Sequence, residues 1–406
     1  MQLFAHADKV AALTAYYTSI LGTETATSWP VSINALYEGV AGVDPAPLVA
    51  PFSEKEAHAA VRAMAADSAP GPDGIGPGFY KATWPSVRGQ VMEFLDAFHG
   101  GTLDLQRINR ALIVLIPKKE VATAPGDYRP VSLQNCPVKI LTKLLTTRLQ
   151  AQIAKVIDVD QTGFIRGRSI AENFVLATEL VQLCHKRKAG TLVLKLDFAK
   201  AFDSVSWDSL TVIMRARGFP ERWVDWMLQL LKTSRSAVVV NNVPGPWILC
   251  KKGLRQGDAL SPYLFLLVAD VLQRIIKADG RIKHPLSGGG GRRSFSTLTT
   301  QSSSSKRIAT VSQRCAKRWT SSPPAPGLRS TSTKAQQRRC TCRGRSWMTS
   351  LPFSSAGKAP SPKLTLGFHS PMSSCSCRPS PPSSRGWTST SPPGKRSSSA
   401  LQGESS

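Results

Sequence analysis

Leu192-Val193-Leu194-Lys195-Leu196-Asp197-Phe198-Ala199-Lys200-Ala201-Phe202-Asp203-Ser204-Val205-Ser206-Trp207 is the stretch that decides the fold. Leu192, Leu194 and Leu196 alternate, so a strand over Thr191 to Phe198 places them on one face and Val193, Lys195 and Asp197 on the other. Asp197 ends that strand and Phe202 follows five residues later. Ser206 then caps a helix from Trp207 to about Arg217, which Gly218-Phe219-Pro220 stops. A carboxylate at a strand end can hold a divalent metal against a nucleotide triphosphate, with the aromatic nearby sensing the sugar. Asp203 and Asp208 are weaker ligand candidates, and Asp203, in the turn, is expected to make local hydrogen bonds.

Composition divides the chain into two materials. Its formal charge is +26, but Gly288 to Ser406 holds 19 Lys/Arg against one acid, leaving 33 against 25 for the first 287 residues. The first part has ordinary apolar runs and length enough for a sizeable core or two linked subdomains. The second is Ser, Pro, Thr and Arg with no periodic apolar face; it cannot offset its ordering entropy by burial and is expected to be disordered. Eight cysteines form no framework, and the two C-x-C pairs lack a second ligand pair at zinc-site spacing. No signal-peptide pattern opens the chain, and the apolar run at Tyr263 to Val268 is too short to span a bilayer. An intracellular, reduced protein with no membrane partner follows, nuclear or cytoplasmic.

Residues 1–50 have a helical opening and a Pro/Gly-interrupted stretch of unknown role. Ser53 and Glu56 form a capping box for a helix running to about Ala66, and Ser68 to Ile75 is a turn-dense loop. Arg110 to Pro117 has strand character and ends on Lys118-Lys119; Asp127-Tyr128-Arg129-Pro130-Val131-Ser132-Leu133 then leads into a helix from about Pro137 to Ile157. Basic residues at a strand tip and on the returning strand suit a triphosphate pocket, so Lys118 or Lys119, together with Arg129, would face the phosphates, the alternative being a solvated basic loop. Gln161 to Ser169 carries Arg166 and Arg168 with two glycines, a composition that can approach and neutralise a sugar-phosphate chain. Beyond helices at Ile170 to His185 and Glu221 to Lys232, a hairpin of Ser236–Val240 and Trp247–Cys250 turns around Asn241 to Gly245. It leads to KKGLRQGDALSPYLFLLVADVLQRII, Lys251 to Ile276, where Ser261-Pro262 opens a helix.

These blocks, IPKK, DYRPVSL, QTGFIRGRSIAENF, LKLDFAKAFDSVSW and RQGDALSPYLF, occur in the order found in reverse transcriptases. They resemble in particular those of plant non-LTR (LINE-type) retrotransposons, over roughly Phe52 to Ile276. The resemblance implies an α+β, right-hand polymerase arrangement: fingers over 51–190, a partial palm over 191–287, and a disordered basic tail over 288–406. It implies that Asp197 binds catalytic Mg2+ and that Phe202 underlies the sugar and selects deoxynucleotides. Arg255, Gln256 and Gly257 would form the template/nucleotide loop, and Arg166 and Arg168 would guide the template. The implied partners are an RNA template, a DNA primer and dNTP.

One part of that pattern is missing. In-line displacement between two metals needs at least two carboxylates on neighbouring strands. The family's Tyr-x-Asp-Asp hairpin should follow the helix ending near Ile276, yet no Asp or Glu occurs between Asp279 and Glu404. With Phe295 to Gln301 written as TTC AGT ACG CTG ACG ACA CAA, the shifted frame reads CAG TAC GCT GAC GAC ACA, or Gln-Tyr-Ala-Asp-Asp-Thr. The same shift over Pro326 to Ala335, with suitable third bases, yields Gly-Leu-Lys-Ile-Asn-Phe-His-Lys-Ser, which resembles the family's next palm block. A slipped frame between Pro285 and Phe295, near the Gly288 to Gly291 run, is the expectation, with polymerase activity lost and an open palm edge. The alternative is a non-specific nucleic-acid-binding protein that uses the basic fingers and tail.

Overall fold

The computed structural model describes residues 5–24, 31–189, 191–198 and 200–279, together with the strands 306–312 and 336–340, all within the unit Met1–Leu366. The helices are α1 (His6–Leu21), α2 (Ile33–Tyr37), α3 (Pro45–Val49), α4 (Glu54–Ala63), α5 (Pro77–Ala82), α6 (Trp84–Gly100), α7 (Cys136–Val156), α8 (Ile170–Lys186), α9 (Trp207–Ala216), α10 (Glu221–Lys232) and α11 (Ser261–Ala278). The strands are β1 (Arg110–Pro117), β2 (Tyr128–Gln134), β3 (Thr191–Asp197), β4 (Arg235–Val240), β5 (Val243–Leu249), β6 (Lys306–Ser312) and β7 (Gln336–Cys340). Helices, a four-stranded mixed sheet and a three-stranded sheet thus make up the described chain, consistent with a fingers-and-palm domain.

The first sheet has the order β2-β1-β4-β5, with β1 parallel to β4 and its other pairings antiparallel. It joins strands from both sides of the 190/191 boundary. The main core also crosses that boundary: Leu141, Leu145 and Leu149 of α7 share it with Ile213, Trp223, Met227 and Phe265. A smaller cluster lies where α1 covers Ile113, Val238, Val240 and Ile248 with Tyr17 and its neighbours. The helices α1, α2 and α3 are therefore built into the domain.

Local rules explain most element ends. Ser53 and Glu56 close the capping box on α4, and Ser206 Oγ accepts from the Ser209 amide at the start of α9. The β4–β5 connection is tighter than expected. Asn241 and Asn242 both take left-handed φ, 51° and 65°, so a two-residue turn replaces the five-residue loop and β5 begins at Val243. Helix α11 opens at Ser261, with Pro262 in its first turn, as expected.

Arg148 ties the N-terminal region to α7. Its guanidinium donates to Glu56 through Nε and Nη2, both at 3.1 Å, and to the carbonyls of Leu48, Ala50 and Pro51. It also lies 4.3 Å from the centroid of the Phe52 ring. Burial pushes the Glu56 carboxyl up, but Arg148 and Ser53 outweigh it and hold the group below its ordinary value.

The tail departs from expectation at two places. β6 and β7 pair antiparallel with the two edges of β3, so residues 306–312 and 336–340 are strands rather than part of an unbroken disordered segment. Two open edges would leave rows of backbone donors and acceptors unpaired, and any compatible segment relieves that. The remainder of 288–406 lies outside the described residues, as do 295–301 and 326–335, on which the shifted-frame expectation rests.

Candidate active site

The turn after β3 and the loop before α11 are knitted together. The Leu254 amide donates to the Phe202 carbonyl at 2.9 Å, the Gly253 amide to the Val205 carbonyl at 2.8 Å, and Trp207 Nε1 to the Gly253 carbonyl at 2.8 Å. Gly253 has φ +86°, and a Cβ there would stand 2.9 Å from the Asp203 carbonyl oxygen. Only glycine allows so close an approach. The Phe202 ring stacks on Phe265 at 4.9 Å between centroids, with 17° between planes, and is half-buried. It packs against the core on one side, which makes it a platform built from α11.

Among the described residues Asp203 makes no local side-chain hydrogen bond, contrary to the sequence expectation. Its Oδ1 accepts from Gln256 Nε2 at 3.1 Å, across 53 residues of sequence. Burial pushes its carboxyl up to about 6, while Gln256 and the charges of Lys200 and Lys118 pull the other way. The Gln256 carbonyl accepts from the Ser132 amide at 2.9 Å, and Gly257, at φ +102°, would bring a Cβ within 3.3 Å of the Ser132 carbonyl oxygen. The loop is thereby held to β2 as well as to the turn after β3.

The expected phosphate-binding residues lie around the β1–β2 connection. Lys118 Nζ donates to the Gly126 carbonyl at 3.0 Å, and Lys119 Nζ is 2.9 Å from Asp127 Oδ1. Lys119, with the Ala124 and Thr123 amides, holds the Asp127 carboxyl below its usual range. Arg129 is exposed on β2, in register with Ile116. Helix α1 crosses close by: a Cβ on Gly126 would meet Tyr16 Oη at 3.3 Å, and Lys200 Nζ lies 4.6 Å from the centroid of the Tyr16 ring.

Two of the expected nucleic-acid contacts are spent inside the fold. Arg255 donates to the Asn109 carbonyl at 2.9 Å and to its side-chain oxygen, fastening the loop to the start of β1. Arg168 donates to the carbonyls of Ala154, Ile157, Asp158 and Gln161, where it closes the C-terminal end of α7. Arg166 is exposed.

The metal side of the site is another matter. Asp197 is the last residue of β3, and its register partner on β6 is Lys306. Neither β6 nor β7 contains an acid, nor does any residue from 280 to 403. Reverse transcriptases generally use Mg2+, but this donor set does not fit a two-metal centre, which needs carboxylates from two neighbouring strands. Among the described residues no cluster of three or more His, Cys, Asp or Glu could hold a metal ion. None of their helices is long and apolar enough to cross a membrane.

A strand thus ends in a carboxylate, and the turn after it is bonded to a glycine-containing loop with basic residues near by. Residues 116–284 match the family model described as reverse transcriptase (RNA-dependent DNA polymerase). The chain is 32% identical over 212 residues to a retrovirus-related Pol polyprotein from the type-2 retrotransposable element R2DM of Drosophila melanogaster, covering 52% of this chain and 20% of the relative. It is 30% identical over 225 residues to the Xenopus laevis transposon TX1 uncharacterized 149 kDa protein, covering 55% and 17%. It is 29% identical over 216 residues to an R2 Pol polyprotein of Nasonia vitripennis, covering 52% and 20%. The chain spans about a fifth of the length of these relatives. Residues 116–284 are therefore similar to the reverse transcriptase domains of non-LTR retrotransposons, a family that binds RNA template and primer.

Proposed function

We propose that the chain is a LINE-type, RNA-directed DNA polymerase domain that keeps its template and nucleotide scaffold but no longer polymerises. In the parent reaction a primer 3′-hydroxyl attacks the α-phosphate of a deoxynucleotide. Here the loop 253–258 and Phe202 would position base pair and sugar, Lys118, Lys119 and Arg129 would face the phosphates, and Arg166 would steer the template. The observation that carries the reading is the contrast at β3: the turn behind it is hydrogen-bonded to the loop through Phe202, Val205 and Trp207, while both flanking strands lack a carboxylate. Loss of a metal clamp of this kind costs orders of magnitude in rate.

The cause we assign is a reading frame slipped between Pro285 and Phe295 of a plant-type element. The nucleotide sequence of the gene tests it: the alternate frame must encode Tyr-Ala-Asp-Asp across Phe295 to Gln301, and a frame without Asp-Asp there defeats the proposal. A second reading is favoured by the 19 Lys/Arg against one acid in 288–406, which suits non-specific nucleic-acid binding. RNA affinity measured against salt, on the full chain and on a version ending at Ser287, separates the two. A collapse of affinity and of the salt slope on truncation favours the tail-driven reading.

A further inference from the structure

The turn after β3 holds a carboxylate for which the metal-site reading has no use. Asp203 is 9% exposed and, among the described residues, forms no ion pair. Lys118 and Lys200 act on it through space, and Tyr17 of α1 faces it; Lys252, Arg255 and Asp258 line the same cavity of about 50 Å³. An ionised carboxylate so placed opposes folding at neutral pH, since desolvation penalises the charged form. A neutral isostere would serve the fold better, which directs attention to what the charge does for Gln256.

A carboxylate can only accept, so it takes the Gln256 amide by its N–H side and forbids the flipped orientation. We propose that Asp203 is the positioning residue of the nucleotide loop: it turns Gln256 so that Nε2 is used inward and Oε1 is the group left to accept from a donor on the nucleotide or template base. The inference rests on the reading of 253–258 as a nucleotide loop. Asparagine at 203 keeps the shape but can bond either end of the Gln256 amide, so it removes the orientation without removing the contact.

The test uses the full chain, a fluorescent deoxynucleotide and an annealed RNA template with DNA primer. Asp203→Asn should raise the thermal midpoint at pH 7.5 by several degrees yet weaken nucleotide affinity roughly tenfold, the equivalent of one directed hydrogen bond. A merely structural residue would move both in the same direction. Wild-type affinity should also fall as pH drops through about 6. In Asp203→Asn that fall should vanish, although Asp258, whose carboxyl burial also raises, is still present. Nucleotide affinity equal to wild type in Asp203→Asn overturns the proposal. If the wild-type chain binds no nucleotide, the nucleotide-loop reading falls, and amide exchange decides the positioning role separately. Asp203→Ala should speed exchange across 253–258 and at Ser132, and unchanged exchange there in a folded variant refutes it.

Discussion

The two sides of the candidate site are constructed differently. Between the described residues of the turn at 198–206 and the loop at 253–258 the fit is specific: glycine where a side chain would collide, the Gly253 and Leu254 amides on the Val205 and Phe202 carbonyls, Phe202 on Phe265. Around β3 the backbone pairs with Lys306–Ser312 along its whole length and with Gln336–Cys340 over Thr191–Lys195, and neither strand brings an acid. Backbone pairing accepts almost any sequence, whereas a metal centre accepts only its ligands. The contrast separates what makes a palm fold from what makes it catalytic.

The first way to break that contrast is to attack the scaffold at its most connected point. Arg148→Ala leaves Glu56 and three carbonyls without their partner, and should destabilise the domain by about 3–5 kcal/mol in denaturant titration. A loss below about 1 kcal/mol would mean that residues 1–66 are not integral to the domain.

The second is acid. Asp203 has its carboxyl raised to about 6, so the native state binds more protons than the unfolded chain between roughly pH 4 and 6. Its contribution is favourable below that window and is lost as pH rises through it, by about 3 kcal/mol at most. Subtracting the stability profile of Asp203→Asn from that of the wild type should expose this slope, and parallel profiles would contradict it. Gly253→Ala comes next: at φ +86° and against the Asp203 backbone it should cost about 2 kcal/mol or more, read from the same titration.

The smallest effect should come from the other region. Proline at Ala309, in the middle of β6, interrupts a strand paired with β3, while the sequences KRIATVS and QQRRC are mostly polar and offer little apolar surface to bury. Global stability should change by less than about 1 kcal/mol while β3 amides lose exchange protection. A larger loss would show that the tail strands carry the palm.

Much of this arrangement is legible in the sequence. Alternating leucines announce β3, the Ser53/Glu56 box announces α4, and the glycines of 251–258 announce a loop that must come close to something. What they come close to is not legible. Asp203 and Gln256 stand 53 positions apart, Asn109 and Arg255 146, and Arg148 reaches back 92 to Glu56. Such pairs obey no period, so Arg255 and Arg168 read as nucleic-acid contacts when the fold uses them to hold a strand start and a helix end. The tight Asn241-Asn242 turn is the opposite case: its left-handed asparagines are a local signal that Pro244 and Gly245 overshadow.

Primer extension by the purified full chain, on an RNA template with Mg2+ and deoxynucleotides, tests the central claim most directly. The account predicts no product above background for the wild type and for Asp203→Asn alike. Robust extension that Asp197→Ala abolishes would contradict it, because a second metal ligand would then have to come from outside the strands that flank β3.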